Sequence, residues 1–244
     1  MGKDSGIEWT DATWNPWMGC TKVSPGCKNC YMFRERTRFG HDPTEIVRTK
    51  RRTFLAPLRW KEPLLIFVCS WSDFFHPEVP DLWRQEAMEV IYHCERHTFL
   101  ILTKRPELVN ALVHKDFWRI NSNAWLGVSV ETQDYMHRVS QLYDIPASKK
   151  FVSAEPLLGP LDFSEHMGLI DWVITGGESD YKSPRPCNLD WVRSIRDQCT
   201  KDGVAFFHKQ HGGSKKIDSV WGGKELDGKI WDEMPLSVAS NDES

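Results

Sequence analysis

Six short apolar runs recur from residue 64 onward with helical patterns between them, and this repeat constrains the fold more than any other feature. "LLIFVCS" (64–70), "TFLILT" (98–103), "AWLGVSV" (124–130), "KFVSA" (150–154), "WVITGG" (172–177) and "VAFFHKQ" (204–210) read as strands. "DLWRQEAMEVIYHCER" (81–96), the segment after Pro106, "QDYMHRVSQLY" (133–143) and "LDWVRSIRDQCTKDG" (189–203) read as helices, the last ending at Gly203. Strands that are apolar at nearly every position are buried on both faces, as in a parallel sheet covered by helices. The pattern predicts an α/β fold: a parallel (β/α) barrel, incomplete, with six or seven strands. An open doubly wound sheet is the alternative. No low-complexity linker or internal repeat interrupts the 244 residues, so a single domain over 1–244 is expected. The polar tail "IWDEMPLSVASNDES" is expected to be loose.

In a parallel sheet every strand ends on the same edge, and that edge is where α/β proteins build their sites. Here the strand ends are polar or glycine-rich. They carry Ser70, Trp71, Ser72 and Asp73; Lys104 and Arg105; Ser129 and Glu131; Glu155; Gly176, Gly177 and Glu178; and Lys209 with Gln210. Gly176 and Gly177 would let backbone approach a ligand closely. Lys104, Arg105, Glu155 and Lys209 are the candidate catalytic groups, the cations suiting a substrate that bears phosphate or carboxylate. The basic run "RTKRR" (48–52), with Arg59, Lys61, Phe54 and Trp60 nearby, suits either a nucleic-acid backbone or a solvated face.

Upstream of these units, "GCTKVSPGCKNCYM" (19–32) places Cys20, Cys27 and Cys30 in a turn-rich loop. Four readings compete. A zinc ion would need a fourth ligand such as His41. A redox Cys-x-x-Cys would use Cys27 and Cys30 and leave Cys20 idle. Unrelated free thiols would more naturally lie in apolar core. An iron–sulfur cluster held by three thiolates would keep one iron open to a further ligand.

Composition narrows the remaining classes. A net charge of −3 gives no global attraction to nucleic acid or to an anionic membrane. No run of eighteen apolar residues is present, so no membrane partner is expected. The start, "MGKDSGIEWTD", has no basic-then-apolar leader, and the remaining cysteines (Cys69, Cys94, Cys187 and Cys199) lie in unrelated contexts. A reducing cytoplasmic location follows as the expectation.

A three-cysteine loop ahead of a strand–helix repeat resembles the radical S-adenosylmethionine superfamily. The usual spacing there is Cys-x3-Cys-x2-Cys with an aromatic before the third cysteine. This chain has Cys-x6-Cys-x2-Cys, Asn29 before Cys30, and the aromatic Tyr31 after it. The blocks "IEWTDATWNPWMGCTKVSPGCKNCY", "SWSDFFHPEVP", "LILTKRPE", "WLGVSVE", "FVSAEPLLGPLD", "DWVITGGES", "WVRSIRDQC" and "FFHKQ" resemble a phage and bacterial family of three-Cys-motif, radical-S-adenosylmethionine-like proteins. The resemblance implies a 4Fe–4S cluster on Cys20, Cys27 and Cys30, with S-adenosylmethionine bound to its open iron and cleaved on one-electron reduction to a 5′-deoxyadenosyl radical. It implies Ser70, Ser72 and Asp73 near the methionine ammonium, and Ser129, Glu131, Gly176, Gly177 and Glu178 toward the nucleoside. It further implies an electron-donor protein, a substrate such as nucleic acid or nucleotide, and, for a phage-encoded chain, the host cytoplasm. A zinc-binding or metal-free barrel serving as a binding or accessory protein is the alternative.

Overall fold

The computed structural model describes residues 5–180 and 182–235. Seven parallel strands follow one another in chain order: β1 (Ala12–Trp14), β2 (Leu65–Val68), β3 (Thr98–Thr103), β4 (Ala124–Ser129), β5 (Lys150–Ala154), β6 (Trp172–Gly176) and β7 (Ala205–Gln210). They form a curled half-barrel with helices on its outer face. All strand ends therefore fall on one edge. Six strands were legible as apolar runs; β1 was not, because three residues give no period. It pairs Ala12, Thr13 and Trp14 with Ile66, Phe67 and Val68, and delivers the chain directly to the cysteine loop.

The period of two divides each strand between two cores. Ile66, Val68, Phe99, Ile101, Leu126, Val128 and Val152 face outward and pack with helix residues such as Ala87, Ile91, Val192 and Ile195. Phe67, Leu100, Trp125, Phe151, Trp172, Ile174 and Phe207 face inward around Trp9, which lies 4.8 Å from Phe67 and 6.2 Å, edge-on, from Trp172 (ring centroids). Trp9 fills the floor of the curl. The inward position 127 is a glycine because a methyl group there would lie 2.4 Å from the Phe151 ring. Further along the inward positions the strands change character, from Leu102 to Lys104, Gly127 to Ser129, Phe151 to Ser153 and Glu155, and Phe207 to Lys209. A register shift between Thr175 and Gly176 leaves Lys209 as the extra residue opposite them.

Outside lie α2 (Asp81–Tyr92) and α3 (Leu189–Asp202), while α1 (Tyr31–Arg38) begins at the cavity mouth, which Tyr31, Met32 and Phe33 line. The α3 helix starts where the Asn188 side chain accepts from the Asp190 amide at 2.9 Å, and stops at Gly203, whose φ of 70° closes a left-handed cap. The expected helix at 133–143 is instead a 3-10 turn (Gln133–Tyr135) and a single turn (His137–Ser140). Arg138 is drawn inward there, to the Ser129 carbonyl and Glu131. The segment after Pro106 likewise breaks into short turns. The start of the tail is not loose. Residues 231–233 run antiparallel to β7, with the Trp231 carbonyl accepting from the His208 amide and the Glu233 carbonyl from Trp172 Nε1. This covers the sheet edge. The tail beyond residue 235 lies outside the described residues. Among the described residues no helix is long and apolar enough to cross a membrane.

Candidate active site at the mouth of the half-barrel

Cys20, Cys27 and Cys30 line one cavity of about 240 Å³ at the polar end of the curl. It is walled by Tyr31, Trp71, Lys104, Ser129, Ser153, Glu155 and Lys209, with Trp9 and Phe67 toward the floor. The cysteine loop bends where Gly19 takes φ 102° and passes so close to the Glu45 carbonyl that a side chain could not fit. No thiol is in a disulfide. Burial, and after it the charge of Asp73, pushes the Cys20 thiol up to about 11 against the opposing pull of Arg105, and burial also raises Cys30.

Three strand-end carboxylates hold the loop. After β2, Asp73 (4% exposed) accepts from the Phe75 and Lys104 amides, from Thr103 Oγ1 and from Arg105 Nη1 at 3.0 Å. Arg105 continues to the loop, donating through Nη2 to the Thr21 carbonyl (2.9 Å) and hydroxyl (2.8 Å) and pointing Nη1 at Cys20 Sγ at 3.7 Å. After β4, the fully buried Glu131 accepts from Ser24 Oγ at 2.6 Å and from Arg138 at 3.0 Å, and Lys104 Nζ lies 3.3 Å away. Gly26 presses on that carboxylate, leaving no room for a methyl group. After β6, Glu178 accepts from Asn29 Nδ2 at 2.8 Å and pairs with Arg185, which also donates to the Pro25 carbonyl.

Several of the strand-end residues expected near a cosubstrate also bond within the protein itself. Asp73, in the cavity wall, accepts from four donors of the protein itself. Glu131 and Glu178 are loop anchors as well. The Ser72 hydroxyl donates to the Gly19 carbonyl, and Ser70 Oγ accepts from Asn15. Gly176 and Gly177 make room for the Glu155 side chain and the His211 carbonyl. The polar residues lining the cavity from the strand ends are Ser70, Ser72, Asp73, Thr103, Lys104, Arg105, Ser129, Ser153, Glu155 and Lys209. Ser129 and Ser153 are registered partners on β4 and β5, and Lys209 Nζ pairs with Glu155 at 3.0 Å. Ser153 was missed by the sequence reading although it follows Phe151 by one strand period. Cys69, at the end of β2 with φ 60°, is a fourth thiol in the cavity wall, and was read as strand interior.

Two further candidates from the sequence have these surroundings. His41 is exposed and does not line the cavity, so it gives zinc no fourth ligand there. Among the described residues no three His, Cys, Asp or Glu side chains stand together as a ready-made site for a metal ion. The basic run at 48–52 loses its stacking residues: Phe54 is 1% exposed beneath the Arg48 guanidinium, which also pairs with Glu86, and Trp60 packs against His97.

Burial works to raise Glu178, but its hydrogen bonds from Arg185 and Asn29 outweigh that and hold it below the usual range. A carboxylate depressed in the folded state stabilises fully above its unfolded pKa, and this stabilisation is lost as pH falls through the lower folded value. Acid unfolding followed by circular dichroism should therefore be shallower in that window for Glu178→Gln than for the wild type.

Residues 4–235 match the family described as "Protein of unknown function (DUF5131)". The chain belongs to that family. No curated protein matches it. Among solved structures it is similar to a double-mutant spore photoproduct lyase with bound AdoMet and dinucleoside spore photoproduct, at 13% identity and a TM-score of 0.50. A single mutant of spore photoproduct lyase gives 14% identity and a TM-score of 0.51. Each alignment covers 82% of this chain and 64% of the lyase chain, so the chain spans less than two thirds of those structures. At such identities the likeness is one of fold.

Proposed function

We propose that this protein is a radical S-adenosylmethionine enzyme whose cluster is held by Cys20, Cys27 and Cys30. The observation that carries the reading is that all three thiols of one anchored loop line the same cavity at the strand ends. A single metal ion needs its ligands converged on a point, with Zn–S near 2.3 Å. A cluster takes one thiolate per iron and so needs thiols spread around a volume; three thiols lining one cavity support that reading. When bound, a 4Fe–4S cluster with an open iron would supply one electron to S-adenosylmethionine and so initiate hydrogen abstraction from a substrate.

The chain's own residues bind and position. Ser129, 2% exposed, has no protein partner for its hydroxyl among the described residues, and Ser153 lies beside it. This pair offers hydrogen bonds to the hydroxyls of a nucleoside. Lys104 and Lys209 offer cationic contacts to a carboxylate or phosphate, with Glu155 holding Lys209 in place. The apolar floor around Trp9 keeps water from below. Nucleic acid or a nucleotide is the proposed substrate class, supported by the dinucleoside bound in the lyase of similar fold. A separate protein would donate the electron.

Anaerobic reconstitution tests the reading. The expected product is a brown protein with iron and sulfide in cluster ratio; stoichiometric zinc without iron would favour the accessory-protein alternative. On the loaded protein, Ser129→Ala is expected to weaken S-adenosylmethionine binding by about 1 kcal/mol in anaerobic calorimetry, the usual worth of one neutral hydrogen bond. Iron content should stay unchanged.

A further inference from the structure

We infer that Arg105 is a positioning residue that sets the reduction potential of the centre held by the cysteine loop. This inference rests on the cluster reading above and goes beyond it. Arg105 is 4% exposed, and its guanidinium is the only charged group of the protein, among the described residues, with a hydrogen bond to one of the three loop thiols. One edge of the fork serves both sides of a junction: Nη1 donates to Asp73 Oδ2 at 3.0 Å and points at Cys20 Sγ at 3.7 Å. The other nitrogen grips Thr21, the residue after Cys20, through its carbonyl and hydroxyl. Asp73 is itself fixed by the Phe75 and Lys104 amides and by Thr103, so the guanidinium cannot swing away from the sulfur.

The chemistry of such a contact has a definite sign. A thiolate ligand gains negative charge density when the centre it binds is reduced. A fixed cation and an N–H directed at that sulfur therefore stabilise the reduced state more than the oxidised one, and raise the potential. The low exposure of Arg105 keeps solvent from screening the effect. Lysine could keep the ion pair with Asp73, but its compact ammonium cannot also reproduce the planar fork on Cys20 and Thr21. Cys27 meets the Ser24 hydroxyl, at 3.8 Å, and Cys30 meets the Met32 and Phe33 backbone N–H groups, with Lys104 nearby. The three thiols are thus electrically unequal, and Cys20 is the one that a guanidinium N–H addresses.

The test is a redox titration of reconstituted wild type, Arg105→Lys and Arg105→Gln, with iron and sulfide determined on each. With a full cluster, Arg105→Gln is expected to shift the one-electron equilibrium toward the oxidised state by about tenfold, which corresponds to about 59 mV more negative. Arg105→Lys, which preserves the pair with Asp73 and so the fold, should lie between that value and the wild type. A role in holding the loop alone would lower iron content without moving the potential of the centres that remain. Either variant carrying a full cluster at the wild-type potential overturns the assignment. A wild-type protein that takes up no iron and sulfide overturns the cluster reading itself, and this inference with it.

Discussion

Replacing Cys20, Cys27 or Cys30 by alanine is expected to strip most of the iron and sulfide from the reconstituted protein, each substitution alone sufficing. A centre with three protein ligands that loses one has two open irons, and exchange with solvent thiols or chelators then removes it. Cys94→Ala and Cys199→Ala should retain the full complement. Both residues are buried in the outer core, 3% and 0% exposed, where the thiol serves as a small hydrophobe. Their cost should appear as a modest drop in stability of about 1 kcal/mol, since little volume is removed. Cys69→Ala is the demanding control, because Cys69 lines the same cavity but sits on the β2 end and not on the loop. It should load normally. Iron loss of equal size from Cys69→Ala would mean that the centre has four protein ligands and no open position.

The second large effect concerns the anchor after β4. Glu131→Ala removes a carboxylate with no solvent exposure and leaves Arg138, 4% exposed in its side chain, without its anion. It also strands the Ser24 hydroxyl and the Lys104 ammonium. Breaking a buried pair from one side costs about 3–5 kcal/mol, because the surviving charge stays buried and uncompensated. Against a total stability of about 5–15 kcal/mol for a typical domain, that is a large fraction. The urea midpoint should fall accordingly at unchanged m-value, and the apo protein should show it as strongly as the loaded one. A drop confined to the loaded protein would instead make Glu131 a ligand contact.

The sheet was legible because its strands are apolar at almost every position and its helices carry a separate period. "KFVSA" is β5 residue for residue, and "LDWVRSIRDQCTKDG" is α3 with its glycine cap. The breakdown at 133–143 was hidden because Arg138 looks like a surface residue in sequence, whereas a buried partner seven residues upstream draws it inward. The location of the site was legible for the same reason as the sheet: parallel strands put their ends together. What those ends do was not. Asp73, Glu131 and Glu178 are acidic residues at an active edge whether they bind a ligand or a loop, and only their partners distinguish the two. Those partners (Arg105, Thr21, Ser24, Asn29 and Arg185) are scattered along the chain at separations no local pattern encodes. The inward period would have found Ser153, had it been followed past Phe151.

The distribution of those anchors along the chain imposes an order in time. The cysteine loop is made early, at residues 19–30, but the groups that hold it come from residues 71–73, 105, 131, 178 and 185. Synthesis proceeds from the N-terminus, and strands in sequential order can assemble as they emerge. Until the segment after β6 has left the ribosome, the loop has only the earlier anchors, from residues 71–73, 105 and 131. The loop reaches its full set of anchors only when the segment after β6 has emerged.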